Sequence, residues 1–219
     1  MPVQLGSDVP LLIPPVVPQD LDVVMKGVQW YVESGLRARA TYDPLNRIVL
    51  ALLSVNSPFE ATVKCWYALE GVDWTDHWAV LSTLKNTHAR DGVVSYAWTK
   101  ARWIRELMHM AKSEGVSYHS FQRDVDYRDY LQLNTLGLGM AKASYAVMLV
   151  NGLADVCCVD THMYRLFTGK VATKSIPKRT YLQMEQSIRE LALRHGVPTS
   201  ATQHCVWDAM RGVRTELVP

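Results

Sequence analysis

Apolar residues recur along this chain at the three-and-four spacing of amphipathic helices and almost nowhere at the alternating spacing of strands. A stripe of Val23, Val24, Val28, Tyr31 and Val32 predicts a helix from Pro18-Gln19-Asp20 to about Gly35. Asp43-Pro44 opens the next, with proline suited to a first turn. Ile48, Val49, Leu50, Leu52 and Leu53 make that helix apolar nearly all round, so it is expected at the centre of the fold. Asn56-Ser57-Pro58 breaks it. Helices follow over 60–69, 74–84 and, long and amphipathic, 95–114. A short one over 126–135 ends at a glycine turn, and others cover 142–150, 161–167, 179–195 and 200–211. Val156, Cys157, Cys158 and Val159 form the one strand-like run, which has nothing to pair with. The pattern predicts an all-α fold.

The composition fits that picture. The 219 residues are 48% hydrophobic and 20% charged, enough for one domain or two small lobes with a sizeable core. A net charge of +2 excludes a polycation, so nucleic-acid binding would need basic residues gathered on one face. The candidates are Lys100 with Arg102 and Arg105, Lys174 with Lys178 and Arg179, and Arg211 with Arg214; each also reads as solvated surface. Cys65, Cys157, Cys158 and Cys205 form no Cys-x-x-Cys pair, and an adjacent pair rarely closes a disulfide. A reduced, cytoplasmic protein is the expectation. No run approaches the roughly 18 apolar residues of a membrane span. The proline-bearing start lacks the features of a secretory signal and is expected to be an extended arm over 1–18.

The chemistry concentrates between Leu133 and Arg165. Gly137-Leu138-Gly139 forms a tight turn after one helix and before another, where main-chain N–H groups can meet a phosphate. Val159-Asp160-Thr161-His162 follows the second helix, so the Asp160 carboxylate can reach the sugar or base attached to that phosphate. The plainer reading of Asp160 is an N-cap for the helix that begins at Thr161, and the two roles are compatible. Together these parts point to chemistry on a nucleotide within DNA.

Helix, glycine hairpin, helix and then Val-Asp-Thr-His resembles the helix-hairpin-helix DNA glycosylases, such as the endonuclease III branch. Leu52-Leu53-Ser54-Val55-Asn56 is similar to the family's Leu-Leu-Ser-x-Gln segment. The stretches over 96–104 and 203–212 resemble further family helices, so the likeness spans about Pro44 to Gly212. The resemblance implies two helical lobes with a DNA-binding groove between them. The six-helix lobe would cover 43–152, and the second lobe 19–42 plus 153–219.

The resemblance also implies roles. Asp160 becomes the catalytic carboxylate, stabilising positive charge on the deoxyribose and orienting or deprotonating a water. Leu136, Gly137, Leu138, Gly139 and Ala141 become the DNA-backbone hairpin, with a monovalent cation on its carbonyls. Asn56 takes the place of a glutamine that fills the gap left by a flipped nucleotide; it also reads as a turn residue before Pro58. His162 is expected to be structural. Trp30, Tyr31 and Tyr164 are the base-pocket candidates, drawn from a larger aromatic set that includes Tyr145 and Trp207. Asp208 could face the groove or form a surface ion pair.

Two departures set this chain apart. The lysine that serves bifunctional members as an amine nucleophile stands two residues after the second hairpin glycine, where this chain has Ala141. Lys142 comes one place later, about 100° further round a helix. It reads as a phosphate contact, or as a lyase residue if the hairpin is one residue longer. The iron–sulfur cluster of endonuclease III needs four C-terminal cysteines, and only Cys205 lies in that region. No spacing suggests zinc or another metal.

The expectation is therefore a monomeric, monofunctional glycosylase acting on double-stranded DNA, without a membrane partner. It would remove a damaged or modified base, hypermodified phage bases included, and leave an abasic site. Two alternatives stand beside it: a base-modifying transferase on the same fold, and a non-catalytic hairpin protein that only binds DNA.

Overall fold

The computed structural model describes residues 21–40, 43–91, 96–113, 117–170 and 175–218. The arm expected over 1–18, the first helix's predicted start and Lys174 lie outside them. The described residues form eleven α-helices and one 3-10 turn, with no strand.

The expected N-terminal helix is broken. Lys26 and Gly27 interrupt it, giving α1 (Leu21–Met25) and α2 (Val28–Ala40), and α2 runs past Gly35. The reason for the run past Gly35 is tertiary. Gly35 meets Gly152 so closely that a Cβ there would lie 2.2 Å from the Gly152 carbonyl oxygen. Glycine, a weak helix former, is kept in mid-helix because the backbones of two elements touch there.

Asp43 caps α3 (Pro44–Leu53), accepting the Asn46 N–H at 3.1 Å. Every residue of α3 from Arg47 onward is buried, as expected of a central helix. Around it pack α4 (Phe59–Ala68), α5 (His77–Asp91), α6 (Ala97–Ser113), α7 (Asp124–Asn134) and α8 (Met140–Val150). Then come α9 (Thr161–Thr168), α10 (Lys178–His195) and α11 (Thr199–Arg211).

Two hydrophobic clusters form. The larger holds α3 to α8. The smaller joins α1 and α2 to α9, α10 and α11. Chain ends thus meet across the whole sequence, with Tyr31 on α2 bonded to Asp208 on α11.

The apolar run before Asp160 is extended and buried. Side chains, not a second strand, satisfy its backbone. Glu185 on α10 accepts the Cys157 N–H at 2.9 Å. The Tyr181 hydroxyl donates to the Cys157 carbonyl at 2.6 Å and accepts the Val159 N–H at 3.2 Å. Arg128 on α7 pairs with both Glu185 oxygens at 2.9 Å, so this buried ion pair ties the two clusters together beneath the segment. Burial raises the Tyr181 hydroxyl and the Cys157 thiol well above their ordinary values, so both stay neutral.

Candidate active site

Asp160 stands where the extended run turns into α9. Its Oδ1 accepts the N–H groups of His162 at 2.9 Å and Met163 at 3.0 Å, so it is indeed the N-cap. Its Oδ2 accepts the indole N–H of Trp207 at 2.8 Å. Three donors therefore fix the rotation of one carboxylate. It remains half-exposed, on the wall of a groove of about 760 Å³ between the two clusters. That volume falls within the range of small-molecule pockets.

The hairpin reaches the same groove through Gly139. Gly137 has φ +88, and a Cβ there would strike the Trp103 ring at 2.5 Å, so only glycine fits. Gly139 does not share this constraint, because its φ is −73 and a Cβ would meet nothing within 4 Å. It is the N-cap of α8 and offers no side chain, which leaves first-turn N–H groups for an outside acceptor. Leu138 is buried as an anchor, whereas Leu136 is exposed.

Ala141 and Lys142 both line the groove. Lys142, about 100° round the helix from Ala141, still borders the groove: with α8 starting at Met140, both positions fall in its first turn. Ala141 also packs against both hydrophobic clusters, and the Lys142 ammonium lies 5.4 Å from the centre of the Tyr145 ring.

Asn56 also lines the groove, exposed and in the left-handed region at φ +50. Phe59 beyond it approaches Trp207 edge-on at 6.3 Å, and Arg211 reaches Glu60 at 3.2 Å. Arg211 also covers the Trp207 ring at 4.3 Å. Among the described members of the suggested basic clusters, Arg211 lines the groove. Lys100 is wholly buried, which corrects its reading as surface charge.

The three base-pocket candidates lie elsewhere. Tyr31 is buried, its hydroxyl spent on Asp208 at 3.1 Å. Trp30 is covered by the Arg214 guanidinium at 4.4 Å. Tyr164 packs on the smaller hydrophobic cluster. Tyr145, Tyr181, His204 and Trp207 line the groove instead. Helical periodicity gives each aromatic a face but not the element that will cover it.

Asp208 is 0% exposed and belongs to the core, correcting both of its earlier readings. It accepts the Thr215 N–H at 2.5 Å and hydroxyl at 2.9 Å, folding the C-terminal segment back so that Thr215, Glu216 and Leu217 border the groove. Nothing in the sequence pattern marks that return. Beside it, burial lowers the His204 imidazole to about 4 against the opposing pull of Asp208 and Glu216, so His204 is neutral near pH 7.

All four cysteines are free and buried. Among the described residues no group of three or more His, Cys, Asp or Glu could hold a metal ion, and no helix is long and apolar enough to cross a membrane.

Comparison with known proteins agrees with this geometry. The chain is similar in fold to the 8-oxoguanine DNA glycosylase of Methanocaldococcus jannaschii, with TM-score 0.66 and 18% identity over 87% of each chain. The glycosylase/lyase of that organism, in complex with a 15mer DNA containing 8-oxoguanine, gives 0.66 and 20% identity over 87% of this chain and 90% of that one. The 8-oxoguanine DNA glycosylase of Thermotoga maritima gives 0.68 and 18% identity over 88% of this chain and 94% of that one. No curated protein matches by sequence. A model of the Ogg-HhH family, described as 8-oxoguanine DNA glycosylase, matches residues 44–197, well over half of the chain, from α3 and the loop holding Asn56 through the hairpin and Asp160 to α10. The chain therefore belongs to the Ogg-HhH family of helix-hairpin-helix DNA glycosylases.

Proposed function

We propose that this protein hydrolyses the N-glycosidic bond of a modified base flipped out of double-stranded DNA, leaving an abasic site. The observation that carries the reading is the Asp160 carboxylate, held by three N–H donors on a groove that the uncapped N-terminus of α8 also lines. The α8 N–H groups grip a phosphate of the strand, and Asn56 enters the space the nucleotide vacates. As the base departs with the bonding electron pair, positive charge grows on the sugar, and the nearby carboxylate stabilises it. Water then adds at C1′, its proton passing to Asp160 and its oxygen remaining on the sugar. A monovalent cation on hairpin carbonyls would add to the phosphate grip.

Water is the nucleophile in this reading because Ala141 stands where bifunctional members carry their amine. Lys142, on the groove wall beside the Tyr145 ring, serves as a cation for DNA phosphate. The first substrate to test is 8-oxoguanine, on which the structural neighbours act by description. DNA with hypermodified cytosines is the second.

Each duplex is incubated with the protein and then heated with alkali. Strand breaks are expected with the intact chain and none with Asp160→Asn, while both bind DNA equally. Borohydride should trap no protein–DNA adduct. Breaks formed equally by the Asp160 variant would overturn the catalytic reading, and an adduct lost in Lys142→Ala would overturn the hydrolytic one.

A further inference from the structure

Lys100 is a lysine at 0% exposure that the reaction above does not use. Burying an ammonium costs several kcal/mol unless it is well bonded. Its bonds are to two oxygens that flank one loop. Its Nζ donates to the Leu53 carbonyl at 2.7 Å and to the Ser57 hydroxyl at 2.6 Å. Leu53 ends α3, so its carbonyl is an orphan acceptor that favours a cation. Ser57 is the residue after Asn56, and Asn56 holds the left-handed backbone, a conformation with a cost outside glycine. The ammonium thus spans the loop from beneath and closes it around its strained residue.

We propose that Lys100 is the positioning residue of the DNA wedge, holding the loop over 54–58 in the shape that aims Asn56 into the gap left by a flipped nucleotide. This rests on the glycosylase reading above. The lysine touches no reacting atom. It acts on the step that takes a paired base out of the helix, and a target that is already unpaired does not need it.

The titratable groups facing Lys100 are the Cys65 thiol on α4 and the Lys142 ammonium on α8. Burial is the largest influence and brings Lys100 from 10.5 to about 8; Lys142 pushes the same way and Cys65 opposes. Base extrusion should therefore weaken as pH rises through about 8.

The test uses Lys100→Met, which keeps the apolar stem and removes the donor. Single-turnover excision is measured on 8-oxoguanine in a short duplex and on the same strand unpaired. Fluorescence of 2-aminopurine placed beside the target reports extrusion even where excision is slow. Loss of a charge-assisted clamp should slow duplex excision about tenfold to a hundredfold and remove the pH step in fluorescence. The unpaired strand should stay within about threefold of the intact protein. Equal loss on both substrates, or no loss on the duplex, overturns the proposal.

If Lys100→Met does not fold, Ser57→Ala decides, with the same duplex-only defect expected at smaller size. Asn56→Ala separates the layers. If it leaves duplex excision and fluorescence unchanged, the wedge reading itself fails; if it is defective while Lys100→Met is not, only the lysine inference fails.

Discussion

Trp207→Phe isolates the bond that sets the far side of the Asp160 carboxylate proposed to be catalytic. The indole N–H meets Asp160 Oδ2 at 2.8 Å, whereas Oδ1 keeps its two backbone donors whatever stands at 207. Phenylalanine preserves an aromatic ring beneath Arg211, which now lies 4.3 Å from the ring centre, and removes only the donor and some area. The freed oxygen borders the groove and can bond water, so folding should suffer little, about 1 kcal/mol. Catalysis should suffer more, because the carboxylate must be oriented before charge develops on the sugar. A hydrogen bond to a charged acceptor is worth about 1.5–3 kcal/mol, or roughly a 10- to 150-fold fall in single-turnover excision. Enzyme in excess over a tight duplex keeps binding out of the rate, and anisotropy checks that affinity is unchanged. A rate within about threefold of the intact protein, with Asp160→Asn inactive alongside, would show that the indole does not position the acid.

Two further outcomes bear on the frame of the groove. The His204 imidazole is lowered from 6.5 to about 4, so between those values the unfolded chain binds the extra proton. Stability is then complete above about pH 6.5 and lost by up to about 3 kcal/mol as pH falls to about 4; a Tm series against pH should show this slope and His204→Gln should flatten it. Gly35→Ala sets a Cβ 2.2 Å from the Gly152 carbonyl oxygen, prising α2 from the turn after α8, and should cost about 3 kcal/mol or more. Calorimetry would register this as a Tm drop of roughly 6–12 °C, and an unchanged Tm would mean that the two backbones can separate without penalty.

Periodicity and local chemistry made the helices, the hairpin and Asp160 legible in the amino-acid order. These are local properties: Asp43-Pro44 starts a helix by capping its own first turn, Gly137 turns the chain by its own φ, and Asp160 caps the N–H groups of His162 and Met163 just after it. The run of α2 past Gly35 was not legible, because the contact with Gly152 comes from a residue more than a hundred positions away. The same holds for the groove. Lys100 and Asp208 carry charges that composition assigns to the surface, and they are buried because Leu53 with Ser57, and Tyr31, supply bonds from distant segments, with Thr215 returning onto Asp208 just beyond α11. The chain's order thus named the acid and the turn that reach the groove, since each needs only its neighbours. Which aromatics line the groove, and which donors hold the acid still, was decided by packing, because a side chain's surroundings depend on every element folded against it.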